Sequence, residues 1–210
     1  MPAENKPKAK HRRMRSFHIL RLIGIVCFLC GIGILTLTFF PVIKEEVKYN
    51  LQRPNLLSSS YQELAPIDAD FGLVIPKIGA NAKIIPNVDP YDSKIYQQAL
   101  TRGVAHAKGT VFPGETGNSF IFSHSSANFY EASRYNSVFY LLNKLEKDDE
   151  IDVFVKHTKL VFKVTAKRLV ASQDVSYLDA QASEPTLTLM TCWPPGTNLK
   201  RLLIIAELSK

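Results

Sequence analysis

The chain has 210 residues, with 26 Lys and Arg against 19 Asp and Glu and a formal charge of +7. A length like this fits one membrane segment and one domain. Residues 1–21 hold seven basic residues against the single acid Glu4, so this tail carries +6 of the +7 and the rest of the chain only +1. The basic run abuts an apolar segment and has no aromatic interleaving or groove-reading motif, which excludes nucleic acid as a partner.

Residues Leu22 to Ile43 contain no charge. As a helix rising about 1.5 Å per residue they would span about 33 Å, enough for a bilayer core of about 30 Å. Positive charge before the segment and the mixed Lys44-Glu45-Glu46-Lys48 after it place the N-terminus in the cytoplasm. A cleaved signal peptide is the rival. The apolar run exceeds an h-region of about 7–15 residues and no small-x-small site precedes Lys44, so an uncleaved anchor is expected. The expected organisation is a basic cytoplasmic tail over 1–21, a transmembrane helix over 22–43, a stalk over 44–70 and an extracellular domain over 71–210 of a single-pass plasma-membrane protein.

Cys27 and Cys30 lie in the apolar segment. No His or second CxxC accompanies them, so they read as small apolar residues. Cys192 is then the one exported cysteine, and an intrachain disulfide there is excluded. A single thiol in an exported domain is an intermolecular linker, a buried bystander or a reactive group.

The domain opens with two β-type runs, 71–78 and 82–88, separated by Gly79-Ala80-Asn81, a hairpin pattern. Pro76 and Pro86 mark edges or strand ends. Ser93 to Leu100 reads as a helix, with Ser93 as N-cap and Ile95, Ala99 and Leu100 on one side. Gly103 to His106 is a loop or short strand, and Pro113 to Asn118 a turn. Ser119 to Ser123 is a buried-type strand that delivers His124 at its end. Ser137 to Leu145 has helical spacing, with Val138, Leu141, Leu142 and Leu145 on one face. Two alternating runs, 151–156 and 160–170, pair through His157-Thr158-Lys159, and 174–178 is a loop or short strand.

The last run is strand, turn, strand: Thr186 to Cys192, then Trp193-Pro194-Pro195-Gly196, then Leu202 to Leu208. About eight short strands with two minor helices point to a mainly β domain, a barrel or a sandwich. If the final strands pair, Cys192 and Arg201 lie at the same end of one sheet. A cysteine nucleophile needs a route to thiolate and a proton for its leaving group, which a His can serve. Acyl transfer also needs a donor for the developing oxyanion, which an Arg can supply.

Thr188-Leu189-Met190-Thr191-Cys192, with Arg201 nine residues on, resembles the TLxTC signature of sortases, membrane-anchored cysteine transpeptidases of bacterial surfaces. Three further blocks are similar, in order: Leu73 to Gly79, then Gly103 to Thr110 through Pro113–Asn118 to His124, then Tyr140 to Ile151. The resemblance covers about residues 71–208. It implies a closed β-barrel of about eight strands with two or so short helices, preceded by one transmembrane helix.

It also implies roles: Cys192 as nucleophile, His124 as general acid/base and Arg201 as oxyanion stabiliser, with Thr191 and Trp193 positioning substrate or shaping the cleft rim. His106 falls where the family often carries a non-catalytic histidine. The implied partners are surface proteins bearing an LPxTG-type sorting signal and an amine acceptor, a cell-wall precursor or a protein lysine. Some sortases bind Ca²⁺ through acidic loops; Asp148-Asp149-Glu150 reads better as a solvated turn, and no cofactor is expected. Ser123 in place of a glycine, Ser125-Ser126 after the histidine and Lys147-Asp148 depart from the family pattern and leave the substrate open. A cysteine hydrolase with the same triad and a non-enzymatic peptide-binding β domain are the alternatives.

Overall fold

A computed structural model of the chain describes residues 18, 20–36, 47, 64–125, 138–179 and 181–209. Contacts divide the chain into two units, 1–47 and 48–210. In the first unit residues 20–36 are helical. No helix among the described residues is long and apolar enough to cross a membrane, and 37–43 of the expected span lie outside them.

The second unit is built on eight strands: β1 (Phe71–Ile75), β2 (Ala80–Val88), β3 (Val104–Ala107), β4 (Gly117–Phe122), β5 (Glu150–Val155), β6 (Thr158–Ala171), β7 (Pro185–Trp193) and β8 (Lys200–Leu208). They close into a barrel in the order β1-β2-β3-β4-β7-β8-β6-β5. Closure removes the open edges that a sheet of this size would otherwise expose. Two neighbouring pairs, β2–β3 and β4–β7, are parallel, and the rest are antiparallel. Pro86 sits where the β2–β3 register shifts, which is where a strand tolerates a missing amide.

Alternation along the strands builds two apolar layers. Leu187 and Leu189 of β7, with Leu202 and Ile204 of β8 and Ile121 of β4, face the barrel interior. On the opposite face Phe120, Phe122 and Leu203 form a second cluster with Ala105 and Ala107, and Met190 packs against it. Helix α1 (Ser93–Leu100) covers part of that outer cluster through Ala99 and Leu100. The outer face is therefore partly packed, not a plain solvated surface.

Several local expectations change. Asp92, not Ser93, caps α1, its Oδ1 accepting from Lys94 N at 2.9 Å and Ile95 N at 3.2 Å. Ile95 faces outward at 49% exposure, because the packed stripe runs through Tyr96, Ala99 and Leu100. No α-helix forms over 138–145: residues 138–141 are turns and Leu142–Lys144 one 3-10 turn. There Lys167 Nζ donates to the carbonyls of Asn143 (2.8 Å) and Leu145 (2.9 Å), while Phe139, Leu142 and Leu145 are buried in the barrel core. Those carbonyls meet a lysine instead of a later amide of the same segment. Among its described residues the barrel unit carries one α-helix and three 3-10 turns.

The β5–β6 turn is Lys156-His157, with φ of 48° and 67°, and Thr158 and Lys159 already belong to β6. Part of the expected stalk is packed on the barrel. Asn81 Nδ2 donates to Ala65 O at 2.8 Å, and Asn81 Oδ1 accepts from Ile67 N at 2.9 Å.

Candidate active site

Strand pairing decides what meets on the outer face. In β7 and β8, Cys192 is the register partner of Arg201, and Met190 of Leu203. Directly opposed residues of a pair share a face, so the thiol and the guanidinium stand side by side on one face of the sheet. On the other flank β4 runs parallel to β7, pairing Phe120 with Thr188 and Phe122 with Met190. The pairing runs one residue past the strand, Ser123 N donating to Met190 O at 3.1 Å, so His124 leaves β4 at the end where Cys192 leaves β7. Parallel pairing is what brings the two C-terminal strand ends together.

Cys192, His124 and Arg201 line one groove of about 210 Å³. One wall is Phe120, Phe122 and Met190 on the sheet, a second is Tyr96 and Leu100 of α1 with Pro90 and Tyr91 before it, and a third is Val175, Tyr177 and Leu178 of the β6–β7 connection. The lining is thus mostly aromatic and aliphatic, with a few polar groups gathered at one end, as expected of a ligand site. Its volume is below the range of about 300–1,000 Å³ typical of small-molecule pockets. Cys192 is half-buried. Arg201 Nη1 donates to the carbonyls of Asn198 and Lys200, both at 3.3 Å, so the loop after Cys192 steadies the guanidinium.

Thr191 points the other way. It is buried on the interior face, and its Oγ1 donates to Ser123 O at 2.9 Å. Its hydroxyl therefore braces the residue before His124 and does not line the groove. Trp193 shares that face and packs against the barrel core, outside the groove lining. The Trp193–Pro194 peptide is cis.

His106 is fully buried on the far side of the sheet from the groove, paired with Ile121. Its Nδ1 accepts from Asn87 N at 3.4 Å, its Nε2 lies 3.0 Å from Val111 O, and its ring stacks on Phe112 at 4.8 Å. A ring that accepts at Nδ1 and donates at Nε2 is the neutral imidazole. Burial pushes its pKa down, against the opposing bond to Val111. In the acidic turn, Asp149 pairs with Lys77 Nζ at 2.7 Å and accepts from Glu146 N at 2.6 Å. Among the described residues no group of three or more His, Cys, Asp or Glu is arranged to hold a metal ion.

Tyr177 also lines the groove, and no sequence motif singles it out. It lies on a 3-10 turn (Ser176–Asp179) nucleated by Asp174, whose Oδ1 accepts from Ser176 N at 3.0 Å. Burial pushes the Tyr177 phenol up; Arg201 opposes this, and Asp174, Cys192 and Tyr91 add to it. The phenol is a neutral group beside the thiol and the guanidinium. Period-two alternation could have gathered Thr188, Met190 and Cys192 on one face. Nothing local in 172–179 marks the turn as a wall of the site.

A family model described as Sortase domain matches residues 73–209, more than half of the chain. The chain belongs to the sortase family. Sortase D of Bacillus subtilis (strain 168) is 27% identical over 138 residues, covering 64% of this chain and 61% of that relative. This sortase-family chain thus spans less than two thirds of that relative's length.

Among solved structures, sortase A from Corynebacterium diphtheriae superposes with a TM-score of 0.57 at 25% identity, over 77% of this chain and 67% of that one. Sortase C-1 from Actinomyces oris gives 0.55 at 25% identity, over 79% and 85%. Clostridium perfringens sortase C, solved with the C-terminal cell wall sorting motif, gives 0.56 at 25% identity, over 81% and 88%. The eight-stranded closed barrel agrees with the expected fold.

Proposed function

We propose that this sortase-family protein is a cysteine transpeptidase that cleaves an LPxTG-type sorting signal and passes the acyl group to an amine. The observation that carries the reading is the register pair Cys192–Arg201 opening on the groove that His124 also lines. The Cys192 thiol gives its proton to His124, and the thiolate attacks the carbonyl before the scissile bond, forming the S–C bond and an oxyanion. Arg201 holds that oxygen by charge-assisted hydrogen bonds. Collapse breaks the C–N bond, and His124 protonates the departing amine. A thioester remains. An incoming amine attacks it, gives its proton to His124 and releases the thiolate. The apolar groove excludes water and holds the acyl-donor peptide, which favours transfer over hydrolysis.

Surface proteins bearing the sorting signal are the acyl donors in this reading, as the Clostridium perfringens sortase C solved with its sorting motif suggests by analogy. A cell-wall precursor amine or a protein lysine is the acceptor, giving anchoring of surface proteins or pilin polymerisation. No cofactor enters these steps. The charge-free stretch Leu22–Ile43 after a basic tail supports a single-pass plasma-membrane anchor with the catalytic domain outside.

The test is mass spectrometry of the full chain incubated with a library of sorting-signal peptides. A Cys192 acyl adduct is expected, and Cys192→Ala abolishes both adduct and cleavage. Normal cleavage by Cys192→Ala sinks the assignment. Free acid as the only product over a range of amine acceptors makes the protein a hydrolase instead.

A further inference from the structure

Cys192, His124 and Arg201 leave unexplained a buried polar pair on the same sheet face. Thr188 and Asn118 are 4% and 7% exposed. Thr188 Oγ1 donates to Asn118 Oδ1 at 2.8 Å, and Asn118 Nδ2 donates to the carbonyl of Tyr177 at 3.5 Å. The direction of this relay is fixed by chemistry. The Tyr177 carbonyl can only accept, so the amide must turn its nitrogen there. The threonine hydroxyl, free to rotate, then donates to the amide oxygen that is left. Phe120, the next residue of β4 on the same face as Asn118, stacks on the Tyr177 ring with centroids 5.3 Å apart and planes 13° from parallel. Two successive outward positions of one strand thus hold the backbone and the ring of Tyr177. That ring lines the groove with Cys192 and Arg201.

We propose that Asn118, oriented by Thr188, is a positioning residue that fixes the Tyr177 turn as a wall of the groove beside Cys192. The peptide part of the inference rests on the transfer reading above. The first threonine of the TLxTC stretch then serves the wall and touches no substrate. Holding the acyl-donor carbonyl against the thiol needs a wall that does not move, because small misplacements cost reactive geometry. A loosened wall weakens the peptide's hold while leaving the thiol itself unchanged.

Thr188→Val keeps the shape and deletes the hydroxyl, Thr188→Ser restores it, and Asn118→Asp removes the donor to Tyr177. In the full chain, two measurements separate the tether from general loosening. Amide hydrogen exchange over residues 172–179 is compared with that over β5 and β6. The KM for a sorting-signal peptide is compared with the rate of Cys192 alkylation by iodoacetamide.

Thr188→Val is expected to speed exchange over 172–179 alone and to raise KM about three- to tenfold, the loss of one net hydrogen bond. Alkylation stays at the parent rate, Thr188→Ser returns both values to the parent's, and Asn118→Asp reproduces the Thr188→Val effect. The proposal is overturned if exchange and KM stay at parent values in Thr188→Val, if serine fails to rescue, or if exchange rises equally in β5 and β6. A parent chain that forms no acyl adduct removes the transfer reading and the peptide part with it. Exchange over 172–179 in Thr188→Val then decides the tether separately.

Discussion

His106 and His124 are both histidines near β-strand ends, yet the sheet sends them to opposite faces. His106 is held neutral by burial, and its folded pKa lies below the value of about 6.5 for an unfolded histidine. The unfolded state therefore binds more protons below about pH 6.5, and stability falls as pH drops through that window toward the folded pKa. Above it the contribution is fully present. His106→Gln removes the titrating group. Urea denaturation should find the variant less stable than the parent at about pH 7.5, with a shallower loss as pH falls below about 6.5. Equal slopes in the two proteins would show that His106 does not titrate on unfolding. The same residue scale separates Thr191 from Cys192: adjacent in sequence, one braces the Ser123 carbonyl from inside and the other opens on the groove.

At the scale of elements, the β5–β6 hairpin carries avoidable strain. Lys156 and His157 both hold positive φ, 48° and 67°, as a two-residue hairpin of the tightest kind requires. Non-glycine residues pay for that conformation, of order 1–3 kcal/mol each. His157 Nδ1 lies 3.1 Å from Asp70 Oδ1, but both side chains are at least 75% exposed, so that pair offers little in return. The backbone bonds from Lys156 N to Asp70 O and from His157 N to Ala69 O survive substitution. Lys156→Asn combined with His157→Gly should therefore raise the unfolding free energy by about 1 kcal/mol or more. Thermal and urea midpoints measure it, and an unchanged midpoint would mean the strain is absorbed elsewhere. The 174–179 turn is the opposite case, since its Asx cap gives it local support and the β4 side chains give it a place.

For the molecule as a whole, residues 65–71 act as a collar at the barrel seam. Asp68 accepts from Asp70 N (2.9 Å) and Phe71 N (3.0 Å) and pairs with Lys83 Nζ of β2 (2.7 Å), while Asp70 and Ala69 hold the β5–β6 turn. The collar thus links β1, β2 and the β5–β6 hairpin. The Lys83 ammonium above all, with the Phe71 amide, brings the Asp68 carboxyl down to about 2 against the opposing effect of burial. A depressed acid contributes stability above its unfolded pKa of about 3.9 and loses it as pH falls through the folded value. Asp68→Asn should be less stable than the parent at about pH 7 and converge with it only below about pH 2. Parallel curves across that range would remove the collar's electrostatic part.

The sequence by itself determined the family, the mainly β architecture and the place of most strands along the chain, because alternation and Pro/Gly turns are local and four motif blocks stand in order. It also isolated Cys192 and brought Arg201 to the head of the next strand. Other features depended on the tertiary structure. The segment over 138–145 has helical spacing, but Lys167 claims its carbonyls and the barrel end buries its apolar side chains. Thr188 and Asn118 read as ordinary strand residues, and Tyr177 as a loop residue, until parallel β4–β7 pairing sets them around one groove. Face and register belong to pairing between strands far apart in the chain. Local pattern can say that a residue alternates, but only closure of the barrel decides which side becomes the interior and which holds the groove around Cys192.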